Sequence, residues 1–551
     1  YYAVANEKGR FNINGMRPGG PYSVEVSFLG MGTVTYDGVV LSLGKPYALD
    51  VKMKPSDNLE AAVLSVDRAL LSNLTGAGSN YNLSTIEEVP TIDRSVYDVV
   101  KLSPLVSQIG QGLTFVGTNN RYNNFMIDGA EANDSFGLNA SGTNGGQTGA
   151  NPISMDALEE VQVAIAPFDV RQSGFTGGAI NVVTKSGTNQ VKGSAYTYFN
   201  NQDFIGVTPG KNVKNRVKYQ DQTSMVYGLT VGAPIIKDKL FVFVSAEYDR
   251  QSNPNIYTPL NGSYGDAFTS DNANRIMQHY AANYLNGVGG YKEGIGQKQL
   301  VSSSLNALAR IDWNINKKHK LMLRYQLLNA KSDSYKSGAS IYYFANSGYQ
   351  QTTLNNIAVL ELNSRLSDMV TNEFRASAVI VREHRDVAYG GATVRIKGFG
   401  GGLSDVYIGS EKSSGANGIN TETYNVSDNL SIFAGNHHIT LGTHNDFYIF
   451  NNLFIQNSYG YYEFKTMDDF LANNMSKFQF AYADPAVEGV DGSRWSAKTY
   501  TARFGLYAQD EWTPNRNFTL TYGIRADIPV MLNRPTENKE FNKTLLSQVS
   551  G

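Results

Sequence analysis

Leu305-Asn306-Ala307-Leu308-Ala309-Arg310-Ile311-Asp312-Trp313-Asn314-Ile315 is the stretch that decides the fold class. Leu305, Ala307, Ala309, Ile311 and Trp313 fall on one face of an extended chain, while Asn306, Arg310, Asp312 and Asn314 fall on the other. Two further stretches repeat the pattern. Phe518, Leu520, Tyr522, Ile524 and Ala526 oppose Thr519, Thr521, Gly523, Arg525 and Asp527, and Phe374, Ala376, Ala378 and Ile380 oppose Glu373, Arg375 and Ser377. Strands of period two, apolar on one side and charged on the other, build a wall with lipid outside and water inside.

The connections between these strands are sorted by length. Short turns lie near Ile236-Lys237-Asp238, Asn316-Lys317-Lys318, Ser367-Asp368, Gly435-Asn436 and Pro514-Asn515. Long polar segments, near residues 200–222, 250–304, 330–353, 384–423 and 451–498, alternate with them. Outer-membrane barrels sort loops in this way, with short periplasmic turns and long extracellular loops. The reading yields about eleven strands, against about 22 in a plugged transporter, so about half a barrel is expected in this sequence.

Composition agrees with a large β-protein. The 551 residues include 34 Tyr, 26 Phe and 54 Gly, and aromatic residues make up 11%. With 47 Lys+Arg against 49 Asp+Glu, the net charge of −2 gives no argument for a nucleic-acid partner. Cysteine is absent, which excludes disulfides and thiolate metal sites. No window reaches the roughly twenty apolar residues of a membrane helix, so a membrane-spanning reading requires strands closed on one another. No signal peptide is visible, and the chain is expected to begin after processing, inside a domain.

Four regions follow from the texture. Residues 1–55 read as a small β-domain, with Val24, Val26 and Phe28 alternating in one run and Tyr47, Leu49, Val51 and Met53 in another. Residues 56–82 read as a linker. Residues 83–192 are mixed: an amphipathic run with Ile92, Val96, Val99, Val100 and Leu102 predicts a helix ending before Pro104, and strands are predicted over residues 161–166 and 179–184. Residues 193–551 carry the barrel pattern.

Three segments resemble the TonB-dependent receptor family, in its Oar-like branch. They are Asn123-Asn124-Phe125-Met126-Ile127-Asp128-Gly129 with Asn133-Asp134, then residues 158–189 including Phe168-Asp169-Val170-Arg171 and Gly177-Gly178-Ala179-Ile180-Asn181, and lastly residues 506–525 with Gln509-Asp510-Glu511-Trp512. The stretch Gly9-Arg10-Phe11-Asn12-Ile13 through Arg17-Pro18-Gly19-Gly20-Pro21-Tyr22 resembles the carboxypeptidase-regulatory-like β-sandwich found ahead of many Bacteroidetes receptors, with its usual first strands missing. The resemblance implies an all-β membrane protein: an antiparallel transmembrane barrel, a mixed α+β plug and a periplasmic N-terminal sandwich. It also implies a location in the bacterial outer membrane.

As a plug, the middle segment assigns roles. Gly177 and Gly178 are expected to let the last plug strand approach the wall. Arg171 and Lys185 are expected to meet barrel carboxylates such as Asp510 or Glu511, because an unpaired buried charge is expensive. Asp128, Gly129 and Asn181 belong to the plug core, and Asn119, Arg121, Tyr122, Asn133 and Asp134 are the candidates to face substrate. The run Leu59-Glu60-Ala61-Ala62-Val63-Leu64-Ser65-Val66 occupies the place of a TonB box, which acts by adding an extended strand to the periplasmic energising protein. It reads also as an apolar linker or as the last strand of the N-terminal domain. Its Ala61-Ala62 departs from the common acidic, valine-rich form.

The residues suggest no enzyme. His437, His438 and His444 read as turn and lumen polarity rather than a metal triad, and residues 142–149 are glycine-rich but lack the Lys-Ser/Thr of a phosphate cradle. No cofactor is implied. The leading expectation is TonB-energised import of a bulky nutrient, whether peptide, glycan or chelate. The partners would be TonB, outer-membrane lipid and lipopolysaccharide, and a surface lipoprotein or larger assembly. The alternative is a non-transporting adhesin or scaffold barrel, which could dispense with both the box and a polar cavity. A secreted β-rich enzyme is a third class, disfavoured by the sorting of the loops.

Overall fold

The computed structural model describes residues 1–5, 9, 11–13, 15–43, 47–54, 62–65, 77–91, 94–109, 112–285, 291, 293–296, 298–482, 496–515, 518–534 and 537–549, with the backbone alone at 62–65, 109 and 545–549. At the N-terminus, β1 (Gly19–Val26), β2 (Val34–Leu41) and β3 (Ala62–Ser65) form one sheet in that order. Val34, Tyr36 and Val39 are its buried core. Tyr47, Leu49, Val51 and Met53 pack against that core as their alternation predicts, but residues 47–54 join no strand ladder. The predicted linker is not plain. β3 pairs in parallel with β2, Val34 opposite Ala62 and Asp37 opposite Ser65.

The plug follows: β4 (Ala77–Asn82), α1 (Leu83–Glu88), α2 (Val96–Val100), β5 (Val106–Ile109), β6 (Gly112–Phe115), β7 (Asn124–Ile127), β8 (Ala130–Glu131), β9 (Leu158–Ile165) and β10 (Gly178–Thr184). Its main sheet has the order β4-β9-β10-β7-β8, so it begins at Ala77, within the stretch read as linker. Ser95 caps α2, whose Val96, Val99 and Val100 are fully buried against the sheet, and the helix stops ahead of Pro104 as expected. The Asp128-Gly129 pair turns the β7–β8 hairpin with φ of +47° and +74°. Asp-Gly is a favoured pair for such a turn because both central residues need positive φ.

The wall and its loops complete the chain. The elements are β11 (Lys192–Asn201), α3 (Gln202–Ile205), β12 (Thr223–Ile236), β13 (Leu240–Asn255), α4 (Ser270–Asn283), β14 (Lys298–Asn314), β15 (His319–Ser334), β16 (Ile341–Tyr343), β17 (Tyr349–Arg365) and β18 (Val370–Val387). Next come β19 (Thr393–Gly400), β20 (Leu403–Ile408), β21 (Ala416–Ala434), β22 (His437–Ile455), β23 (Tyr461–Phe464), α5 (Met467–Leu471), β24 (Lys477–Gln479), β25 (Ala497–Asn515), β26 (Phe518–Met531) and α6 (Lys539–Val549). Eleven of these strands form one antiparallel sheet, β11-β12-β13-β14-β15-β17-β18-β21-β22-β25-β26. Its end strands, β11 and β26, are not paired with each other.

The alternation sorts the wall as predicted. On β14, Arg310 and Asp312 are buried against the plug, while Ile311 and Trp313 are each 39% exposed on the outer face. Plug and wall share one apolar core, in which Ile127, Leu158, Val161 and Val182 of the plug join Phe243, Leu308, Ile357 and Val381 of the wall.

The long loops are not plain coil. β16, β20, β19, β23 and β24 form a second sheet, and α4 and α5 pack on it. The core of this extracellular lobe is aromatic: Phe268, Tyr280, Tyr342, Phe344, Phe464 and Phe470 are at most 1% exposed. A capping box between Thr269 and Asn272 starts α4.

Candidate functional site

The chemistry of the molecule gathers at the seam between plug and wall, around Asp128. Positive φ at Asp128 turns its carboxylate back onto the plug sheet, where Thr184 donates twice, from N to Oδ1 at 2.9 Å and from Oγ1 to Oδ2 at 2.8 Å. Two wall arginines close on the same carboxylate: Arg310 Nη1 at 3.4 Å and Arg324 Nε at 3.1 Å. Burial alone would raise the Asp128 carboxyl, but the two guanidinium groups and the Thr184 bonds hold it below the usual carboxylate range. Arg310 also donates to Asp312 and to the Thr184 carbonyl, and Arg324 donates to the Ile127 carbonyl at 2.9 Å. Asp312 in turn receives Arg17 of the N-terminal domain at 2.7 Å. Three parts of the chain therefore meet on one buried charge network.

Flanking contacts extend the seam. Gly129 leaves no room for a side chain, because a Cβ there would collide with the guanidinium of Arg375, itself bonded to Glu361 at 2.7 Å and Glu373 at 3.0 Å. Glu383 of the wall accepts from the Gly145 N–H at 3.1 Å and from Gln147 at 3.2 Å. Arg503 links Asp446 of the wall, at 2.6 Å, to Glu131 of the plug, at 3.4 Å. Arg94 of the plug pairs with Asp156 and lies 4.7 Å from the ring centres of both Tyr196 and Tyr198.

Several expected roles move. Arg171 does not meet Asp510 or Glu511; its guanidinium forks onto Asp169 of the plug, Nη2 to Oδ2 at 2.8 Å. Asp510 has the outward parity of β25 and bonds His437 at 2.7 Å and Tyr522 at 2.7 Å, whereas Gln509, one residue earlier, turns inward and accepts from the Val170 N–H at 3.1 Å. Glu511 and Lys185 make no ion pair among the described residues. Gly177 and Gly178 lack positive φ and serve packing inside the plug, not against the wall. A Cβ on Gly178 would collide with Phe115, and one on Gly177 with Asn123. Asn181 sits on β10 between Gln162 and Met126, its Oδ1 buried without a partner among the described residues.

The candidates to face substrate divide. Asn133 and Asp134 are spent on the plug's own loops: Asn133 accepts from Phe125 N and donates to Asn124, while Asp134 accepts from Phe136 N and Asn139 N. Asn119 caps a short helical turn through Arg121 N, Arg121 is exposed, and Tyr122 is 57% exposed. Of the run 59–66, Leu59, Glu60, Ala61 and Val66 lie outside the described residues. Ala62, Val63, Leu64 and Ser65 are extended, as a docking strand must be, but their backbone is paired with β2 instead of free. The physical reason is that β2 would otherwise present an open edge, which an apolar run covers.

A model of the outer membrane beta barrel domain matches residues 183–267 and 257–548, more than half of the sequence. The chain belongs to this outer-membrane β-barrel family. A carboxypeptidase regulatory-like domain is matched over residues 1–54, where β1 and β2 lie. The TonB-dependent transporter Oar of Myxococcus xanthus is 28% identical over 162 residues, 27% of this chain and 14% of that protein. Among solved structures, the outer membrane transporter YddB from Escherichia coli superposes with a TM-score of 0.57 at 15% identity, over 82% of this chain and 56% of that one. The siderophore receptor PirA from Acinetobacter baumannii gives 0.50 at 16%, over 82% and 56%. The barrel chain thus spans little more than half the length of these structures, and at such identities they speak for the fold. These relatives are named as transporters and receptors, and the family model places this barrel in the outer membrane.

Proposed function

We propose that the protein is part of a TonB-energised importer whose plug is held in the barrel by the Asp128 network and moves when the segment 59–66 is pulled. The observation that carries the reading is the seam itself. A plug fastened by ion pairs that form and break as units can be moved without melting the apolar sheet behind it. The Oar relative, which bears the name of a TonB-dependent transporter, supports the same direction.

On this reading β3 is the docking strand. One of its edges rests on β2; its other edge carries no strand among the described residues, since β3 ends the order β1-β2-β3. TonB would add there as a further strand through main-chain hydrogen bonds. The cargo would be a bulky peptide, glycan or chelate, first met by the long loops and by exposed plug side chains such as Arg121 and Tyr122. Pairing of β3 inside the N-terminal sheet equally suits a barrel that never transports and acts as a scaffold or adhesin.

Uptake assays combined with TonB pull-down separate the two readings. Val63→Pro removes one backbone donor and fixes φ, so it should abolish both TonB capture and uptake while the barrel still assembles. Val63→Ala should leave both nearly unchanged, because the contact is main chain. Uptake that survives proline at each of positions 59 to 66 in turn would overturn the box and favour the scaffold.

A further inference from the structure

The outer wall carries a groove of about 540 Å³ in the middle of its apolar band. Its floor is small: Ala358 on β17 and Ala378 on β18 face each other in register, with Ala376 one row toward the periplasm. Its walls are large. Tyr325 on β15 lies opposite Ala358, and Tyr424 on β21 lies opposite Ala378, so the row reads Tyr-Ala-Ala-Tyr across four neighbouring strands. Strands spaced about 4.8 Å apart set the two tyrosines roughly three spacings from each other.

Hydrogen bonds keep the groove open. The Tyr325 hydroxyl donates to Asn356 Oδ1 at 2.6 Å, and the Tyr424 hydroxyl donates to Glu422 Oε2 at 2.8 Å. Both phenols are thereby turned toward the extracellular rim, and their rings stand as walls instead of folding over the alanines. The rim is polar and carries cations. Arg382 pairs with Glu422 and donates from Nη1 to the carbonyls of Val381 and Thr421. Its Nε–H has no partner among the described residues. Lys331 is exposed one row above on β15, with Thr352 of β17 between it and His384 of β18, which pairs with Asp386 at 3.4 Å. From Ala378 to Arg382 the strand climbs four residues, about 14 Å.

An open apolar groove below a polar rim with cationic donors has the polarity of an amphiphile. We infer that this groove binds one phosphate-bearing lipid of the outer leaflet, with its acyl chains laid on Ala358 and Ala378 and its phosphate at Arg382 and Lys331. Complementarity favours this occupant over a protein partner: beside the rim carboxylates Glu422 and Asp386, Lys331 forms no ion pair among the described residues and Arg382 keeps its Nε–H to offer a phosphate, while the groove below is almost wholly apolar. The site faces away from the lumen, so it is independent of the transport reading.

The test is native mass spectrometry of the full chain released from nanodiscs of phosphatidylcholine holding a minor fraction of phosphatidylglycerol. The wild-type chain should retain one phosphatidylglycerol. The Ala358→Phe/Ala378→Phe variant, which fills the groove, should lower retention at least tenfold, and Ala307→Phe, outside the groove on the same face, should not. Arg382→Gln should lose the preference for phosphatidylglycerol over phosphatidylcholine. Equal retention in all four proteins would overturn the proposal. Should the double variant fail to assemble, a photo-reactive leucine analogue at Leu360 decides in an otherwise unaltered chain. Adducts enriched in phosphatidylglycerol beyond its share of the nanodisc support the site, whereas adducts in the proportion of the bulk lipids, or none, overturn it.

Discussion

The seam between plug and wall and the lobe above it both enclose an apolar core, yet they differ in what accompanies it: buried ion pairs at the seam, packed aromatic rings in the lobe. At the seam, partners 182 to 372 residues apart in sequence meet as ions: Asp128 with Arg310 and Arg324, Glu131 with Arg503, Arg17 with Asp312. In the lobe, rings meet rings. Phe470 packs against Tyr284 at 5.7 Å and Phe464 at 5.3 Å, and the Tyr280 hydroxyl donates to the Ala392 carbonyl at 2.7 Å. An ion network releases when one charge loses its partner, whereas an aromatic core gives way as a block. The first suits a part that must move, and the second a part that must keep its shape.

The largest effect is expected at Asp128. Asp128→Leu would leave Arg324 buried without a carboxylate and Arg310 with Asp312 alone, and should destabilise the assembled plug by about 3–5 kcal/mol. Limited proteolysis of residues 77–192 in the assembled barrel measures it, and the triple variant that also neutralises both arginines should recover most of the loss. Phe470→Ala should cost a similar 3–5 kcal/mol, but inside the lobe alone. Hydrogen exchange should rise over residues 256–285 and 461–479 and stay unchanged in β9 and β10. If either substitution loosens the other region, the two are not separate units.

A smaller effect tests the wall between them. Ile311→Arg, on the lipid face beside Arg310, should cost about 2–4 kcal/mol at mid-membrane depth, measured as a shift in the urea midpoint of the folded barrel. An unchanged midpoint would break the register of β14.

The smallest is a pH effect confined to the lobe. Burial pushes the Glu293 carboxyl up to about 7, against backbone N–H donors from Gly294 and Asn346 and the Tyr389 hydroxyl. A carboxyl raised on folding takes up a proton, so lobe stability should fall as pH rises from about 4.5 to about 7 and level off beyond. Glu293→Gln should flatten that slope without altering the seam, as read by hydrogen exchange at pH 5 and pH 8.

The wall was legible because period two is a strong signal and the two faces meet different solvents. Eleven strands and four of the short turns stand where the alternation puts them; Pro514-Asn515, read as the fifth turn, are the last residues of β25, and several wall strands run further into the long loops than expected. Asp128 and Gly129 were visible as a motif, but the arginines that bind Asp128 could not be paired with it from sequence, since their contact depends on how far the plug sits inside the barrel. The misplaced partners of Arg171 follow from the same limit, sharpened by parity: one residue separates inward Gln509 from outward Asp510. The lobe stayed hidden because β16, β23 and β24 have only three or four residues each, too short for a periodic signal.

The central claim is that the plug must leave its seat for cargo to pass, and the absence of native cysteine makes it directly testable. Asn306 of the wall donates to the Asn151 carbonyl of the plug at 3.2 Å, so cysteines at these two positions come within reach of a short, reducible thiol crosslinker. In cells taking up labelled peptides, glycans and chelates, the crosslinked pair should stop TonB-dependent uptake, and a reductant should restore it. Uptake that runs at the same rate with the tether closed would contradict the account.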